Sequence, residues 1–142
     1  MPPAALIDTG AIIAIVDADE RFHSACREAL ASLHIPLFTT EAVLTELFHL
    51  IAARSLSMEK AWSFVRSGCL RLHPMQDSDL PALRGLMTQY ADRPMDFADA
   101  TLVHLAARQS ISLILTVDHD DFETYRLPRG KKFTILPSRP RK

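Results

Sequence analysis

A three-layer α/β/α sandwich, a short central parallel sheet with helices on both faces, is the fold class this sequence predicts. Two observations carry that prediction. Short apolar runs of strand length alternate with longer segments of helical period along the whole chain. That alternation is the pattern of βα units, whose strands lie parallel because each crossover helix returns the chain to the same edge. The 142 residues contain no internal repeat, low-complexity tract or long linker, so the chain reads as one domain, 1–142, with a basic C-terminal tail from about residue 126.

Leu6-Ile7 reads as a buried strand ending at Asp8, with Gly10 allowing a tight turn into AIIAIVDA. Residues 22–33 read as a helix, stopped near Pro36, and Pro36 to Thr39 as the second strand. Thr40 is a good N-cap for a helix to about Arg54, and Ser57 for another that Gly68 stops. Cys69 to Leu72 is a candidate strand, and Asp77 to Tyr90 a helix with Pro81 in its first turn. Asp96 caps a helix to about Gln109, Ser112 to Val117 is the clearest strand, and Phe133 to Leu136 a last short one. Crossovers are expected to be right-handed, but strand order does not follow from these residues.

Composition narrows the function classes. An apolar fraction of 48% with 23% charged residues is that of a soluble globular protein. Cys26 and Cys69 are too few and too far apart for a disulfide framework, which fits a reducing compartment. The N-terminus lacks a basic n-region, Asp8 interrupts any apolar h-region, and no apolar run reaches membrane length, so a cytoplasmic protein with no membrane partner is expected. The net charge of −1 is unevenly placed. Residues 123–142 hold seven basic side chains against Glu123 alone, a balance of +6 that is either a phosphate-binding edge or a solvated terminus.

Four acids stand out by position. Asp8 closes the first strand, Glu46 interrupts the apolar stripe of Val43, Leu47 and Leu50, Asp99 lies in the first turn of its helix, and Asp118 follows the clearest strand. In an open parallel sheet, strand ends and the helix starts that follow them share one edge, where ligands bind. Clustered carboxylates repel by roughly 1 kcal/mol per pair at about 4 Å in water, and by more when buried. A divalent cation relieves that repulsion, and carboxylate oxygens are the ligands Mg²⁺ and Mn²⁺ prefer. Such a centre suits attack on a phosphodiester.

Each acid also has an ordinary explanation. Asp8 can be a turn former, Asp96 and Asp99 a capping box, and Asp118-His119-Asp120-Asp121 a solvated acidic turn in which Asp120 and Asp121 are alternatives to Asp118. Thr9 and Thr116 are candidate supporting hydroxyls. The six histidines show no zinc spacing, and neither a Gly-rich phosphate loop nor a Gly-x-Ser-x-Gly elbow is present. His49 and His104 read as helix-surface or core-edge residues, and Phe48, Trp62 and Phe64 as core or interface.

Asp8-Thr9-Gly10-Ala11, Thr40 to Glu46, Met95-Asp96-Phe97-Ala98-Asp99-Ala100 and Leu115 to Phe122 together resemble the PIN-domain ribonucleases, and among them the toxins of VapC type. The likeness spans nearly the whole chain in order. It implies a single PIN-like nuclease domain that cleaves RNA with Mg²⁺ or Mn²⁺, forms a homodimer, and is silenced by a cognate antitoxin of a type II toxin–antitoxin pair. Position by position it implies Asp8, Glu46, Asp99 and Asp118 as the acidic set, Asp96 as a frequent extra metal acid, and Thr116 as the hydroxyl before the last Asp. Two rivals compete with the ribonuclease reading. One is a non-catalytic PIN-like adaptor for RNA or protein. The other is an aspartic protease, since Asp8-Thr9-Gly10 also resembles the active-site loop of that all-β class.

Overall fold

The computed structural model describes residues 2–140. Ala5–Ile7 forms β1, every side chain of which is buried, as in strands covered on both faces. Thr9–Val16 is α1 and His23–Ser32 is α2. Leu37–Thr39 is β2, followed by α3, Glu41–Ala53, where the Thr40 hydroxyl accepts from the Val43 N–H. Met58–Val65 is α4, capped by Ser57, and Leu70–Leu72 is β3. A 3-10 turn at Asp77–Asp79 runs into α5, Leu80–Gln89, and Asp96 then caps α6, Phe97–Gln109. After β4, Leu113–Leu115, come α7, His119–Thr124, a two-residue antiparallel pair of β5, Arg126–Leu127, with β6, Lys131–Lys132, and finally β7, Thr134–Leu136.

The main sheet runs β3-β2-β1-β4-β7 with every neighbour parallel. The chain builds outward from β1 to β3, then crosses to the other side of β1 for β4 and β7. The order therefore reverses between β1 and β4, and crevices in open parallel sheets lie beyond the carboxyl ends of strands at such a reversal. Ile7 pairs with Leu115, and the Asp8 N–H donates to the Leu115 carbonyl at 3.0 Å. Asp8 and the segment carrying Asp118 thus leave the sheet side by side. Helix α1 packs on α2, α3 and α4, α6 packs on α5, and α3 meets α6 through a 2.8 Å hydrogen bond between the buried hydroxyls of Thr40 and Thr101. No helix among the described residues is long and apolar enough to cross a membrane.

The predicted parallel α/β architecture is present, and several local expectations are corrected. AIIAIVDA is mostly α1, which begins directly after Asp8, so Gly10 does not make a turn. It answers a packing need, because a Cβ there would lie 2.7 Å from Val117 Cγ2. Gly10→Ala is expected to destabilise the protein by about 1–3 kcal/mol, the range for an overpacked core, and to lower the melting temperature by several degrees in a thermal melt. The segment 77–90 is not one helix. The Asp79 carboxylate accepts the Gln76 N–H at 2.8 Å and bonds His104 and Arg108, which fixes a separate turn before α5. The acidic run after Val117 is helix α7 rather than an open turn.

The basic tail divides as well. Lys131 and Arg129 border a crevice with Ala107, Ser110 and Ile111 at the carboxyl end of α6, the end away from Asp99. Arg139 instead bonds Asp120 and Glu123 on α7. Arg129 and Lys131 thus lie apart from Arg139, and Arg141 and Lys142 lie outside the described residues. Trp62 is half-exposed, stacked on Phe48 with ring centroids 4.6 Å apart, and so is not a core residue.

Candidate metal centre

Three helices begin at the reversal edge, and a carboxylate caps each. Asp8 caps α1 through the Thr9 N–H at 2.8 Å, Asp96 caps α6 through the Asp99 N–H at 2.8 Å, and Asp118 caps α7 through the Asp121 N–H at 3.3 Å. Capping carboxylates are favoured there because they meet the unpaired N–H groups and the positive end of the helix dipole. The fold therefore draws acids to one place for local reasons. Asp8, Glu46 and Asp118 line one cleft of about 270 Å³ together with Thr9, Glu20 and Arg54. Behind it, one carboxylate oxygen from each of Asp99, Asp118 and Asp121 lies within 4.8 Å of the others. Asp118 belongs to both groups and joins them.

The surroundings fix individual oxygens. Asp8 also accepts the Thr116 hydroxyl at 3.2 Å, and that hydroxyl takes the Asp118 N–H at 3.0 Å, so Thr116 ties two of the acids together. Asp99 accepts the buried Tyr125 phenol at 2.8 Å. Asp99 does not reach back to cap its own helix, which corrects the expected capping box. Thr9 donates its hydroxyl to the Val43 carbonyl at 3.2 Å and ties α1 to α3. Asp96 is exposed and acts as a cap, and it belongs neither to the cleft of Asp8 and Glu46 nor to the close group of Asp99, Asp118 and Asp121.

Burial makes this assembly electrostatically costly. Asp8, only 7% exposed, is pushed up from 3.8 to about 7 by loss of solvent, helped by Glu46 and Asp118 and opposed by its bonds from Thr9 and Thr116. Asp99 rises to about 8, first through burial, then through repulsion from Asp8 and Asp96, while the Tyr125 bond pulls it down. Asp121 rises to about 6, through burial and then its neighbour Asp118. Such a set binds protons or a cation near neutral pH. All of the donors are carboxylate oxygens, which fits a hard divalent ion and not a thiolate- or imidazole-seeking one.

Two members were not singled out from the sequence as site residues. Asp121 stood only as an alternative to Asp118, yet the helical turn of α7 places it beside both Asp118 and Asp99. Asp120, the other alternative, points outward to Arg139 at 2.6 Å. Tyr125 carried no signal beyond being a polar aromatic three residues after Phe122. Tyr125→Phe removes the phenol from Asp99 and is expected to weaken cation binding by about tenfold or more while leaving a folded protein. Mn²⁺ titration beside a thermal melt separates the two effects.

A parallel α/β/α frame with buried acids at its topological reversal offers the all-oxygen donor set that a hard divalent cation takes. It also removes the aspartic-protease reading, because that class is all-β and here Asp8-Thr9-Gly10 opens a helix. The model of the PIN domain matches residues 5–127. Ribonuclease VapC26 of Mycobacterium tuberculosis is 31% identical over 135 residues, covering 93% of this chain and 99% of the relative. Among solved structures, the Mycobacterium tuberculosis toxin VapC20, which cleaves the sarcin–ricin loop, superposes with a TM-score of 0.74 at 19% identity, covering 82% of this chain and 91% of that one. VapBC2 of Rickettsia felis, bound to a promoter DNA fragment, gives 0.65 at 14% identity over 94% and 98% of the two chains. A toxin–antitoxin complex from Klebsiella pneumoniae gives 0.64 at 14% identity over 93% and 95%. The chain belongs to the PIN-domain family, among its VapC ribonucleases, a metal-dependent class of nuclease.

Proposed function

We propose that this chain is the endoribonuclease toxin of a type II toxin–antitoxin pair, a single catalytic domain working with Mg²⁺ or Mn²⁺. The observation that supports the site assignment is a pair of acidic groups sharing Asp118, Asp8 and Glu46 beside it on one cleft and Asp99 and Asp121 within 4.8 Å of it, with burial raising Asp8 and Asp99 toward neutral pH. Asp8, Asp99 and Asp118 would hold the ion, Asp121 would support it from α7, and Asp96 would act from the helix cap. A bound divalent ion supplies neutralisation of phosphate charge and a more acidic attacking water. Glu46 lines the cleft from α3 and would act as a further metal acid or take up the proton of that water. Thr116 and Tyr125 each donate a hydrogen bond to one oxygen, of Asp8 and of Asp99 respectively, and would steady those carboxylates. A non-catalytic adaptor would need none of this, since a helix cap needs no buried like-charged neighbours.

The solved neighbours that contain antitoxins support a cognate antitoxin partner for this chain, and a homodimer belongs to the same proposal. Induction in a bacterial host tests the reading in cells. Growth arrest with the parent chain, its loss with Asp99→Asn at equal expression, and its relief by the antitoxin encoded beside it are the expected results. Arrest that persists with Asp99→Asn contradicts the catalytic assignment.

A further inference from the structure

Asp118 and Asp121 depend on α7, a helix of six residues, and so short a helix is not stable without tertiary ties. One tie comes from the other half of the site. Arg93 lies in the loop between α5 and the Asp96 cap of α6. Its Nη1 donates to the Asp120 carbonyl at 2.8 Å and to Thr124 Oγ1 at 2.9 Å, and reaches Asp121 Oδ1 at 3.5 Å. All three acceptors are on α7, and Thr124 itself donates to the Asp120 carbonyl at 2.9 Å, which closes the network. A single guanidinium therefore joins the loop leading into Asp96 and Asp99 to the helix bearing Asp118 and Asp121. Arg139 also bonds the same helix, through the carboxylates of Asp120 and Glu123 and not Asp121.

We infer that Arg93 is a positioning residue for the cation site, holding α7 so that Asp118 and Asp121 face Asp99. The inference rests on the metal reading proposed above and deepens it. Arg93 and Asp121 are 43% and 31% exposed, and ion pairs so open to water add little to global stability. Their effect is local: the guanidinium fixes one carboxylate of the cluster in place and offsets part of its charge. A Lys in place of Arg93 can put an ammonium near the same acceptors, whereas Gln brings no charge.

The test is titration of Mn²⁺ alone, by calorimetry, into the purified parent, Arg93→Gln, Arg93→Lys and Arg139→Gln, each with a thermal melt. Arg93→Gln is expected to bind Mn²⁺ about tenfold or more weakly with little change in melting temperature, the size of effect seen when a partner of a metal ligand is lost. Arg93→Lys is expected to recover part of that affinity, and Arg139→Gln to keep the parent value. Equal affinity in Arg93→Gln and the parent overturns the inference and leaves the metal site standing. An equal loss in Arg139→Gln overturns it too, by assigning the effect to general loosening of α7. A parent that does not bind Mn²⁺ overturns the metal reading and this inference together.

Discussion

Asp8→Asn is expected to abolish RNA cleavage and, without divalent cation, to yield a protein that melts at a higher temperature than the parent. The two effects have one cause. The buried Asp8 carboxylate is unfavourable in the folded chain above its raised value of about 7, because water is excluded and Glu46 and Asp118 stand close by. Asparagine keeps the shape and can still accept the Thr9 N–H, but carries no charge. The expected gain is about 1–3 kcal/mol above pH 8, less than full linkage because a neutral amide loses the charge-assisted part of that bond. The same substitution removes an anionic ligand, so cleavage with Mg²⁺ should fall to background. A thermal melt and a cleavage assay on one preparation check both halves. A less stable variant would mean that Asp8 is a structural cap and no more.

The second large effect concerns pH. Asp8 and Asp99 hold protons in the folded chain up to about pH 7 and about pH 8, whereas their ordinary value is 3.8. Across that window the folded state binds more protons than the unfolded one, so stability without cation falls as pH rises from about 4 through 8. Below about pH 4 both states are protonated and the penalty is absent. A divalent cation inverts the trend, since it binds the deprotonated acids and expels their protons, which makes its stabilisation larger at higher pH. Melting temperatures in EDTA should therefore be higher at about pH 5 than at about pH 8.5. The increment from added Mg²⁺ should be larger at the upper pH. A flat EDTA profile would mean that the acids are more solvated than their burial implies.

Much of this site was legible in the sequence because its acids do two jobs. Asp8 and Asp118 stand where apolar strands give way to helices and Asp96 stands at a helix start, so hydrophobic pattern and capping chemistry marked them. Glu46 was marked by the apolar stripe it interrupts, and it does line the cleft with Asp8. What escaped depends on tertiary context. Helix α7 spans fewer than two turns, too short for a period to show, and without it neither Asp121 nor Tyr125 can be placed. Gly10 looked like a turn former because the close approach of Val117 comes from the segment after β4, more than a hundred residues later. The basic tail looked continuous because sequence alone cannot show β7 carrying the chain from the amino ends of the strands to their carboxyl ends.

The central claim is that these acids form a cation-dependent centre for cutting RNA. It is tested most directly by incubating purified protein with RNA in Mg²⁺, in EDTA, and in Mg²⁺ with Asp99→Asn as the contamination control. Cleavage products from the parent in Mg²⁺ alone, restored when Mg²⁺ is returned after EDTA, are the expected result. Equal cleavage in EDTA, or by Asp99→Asn, would contradict the account.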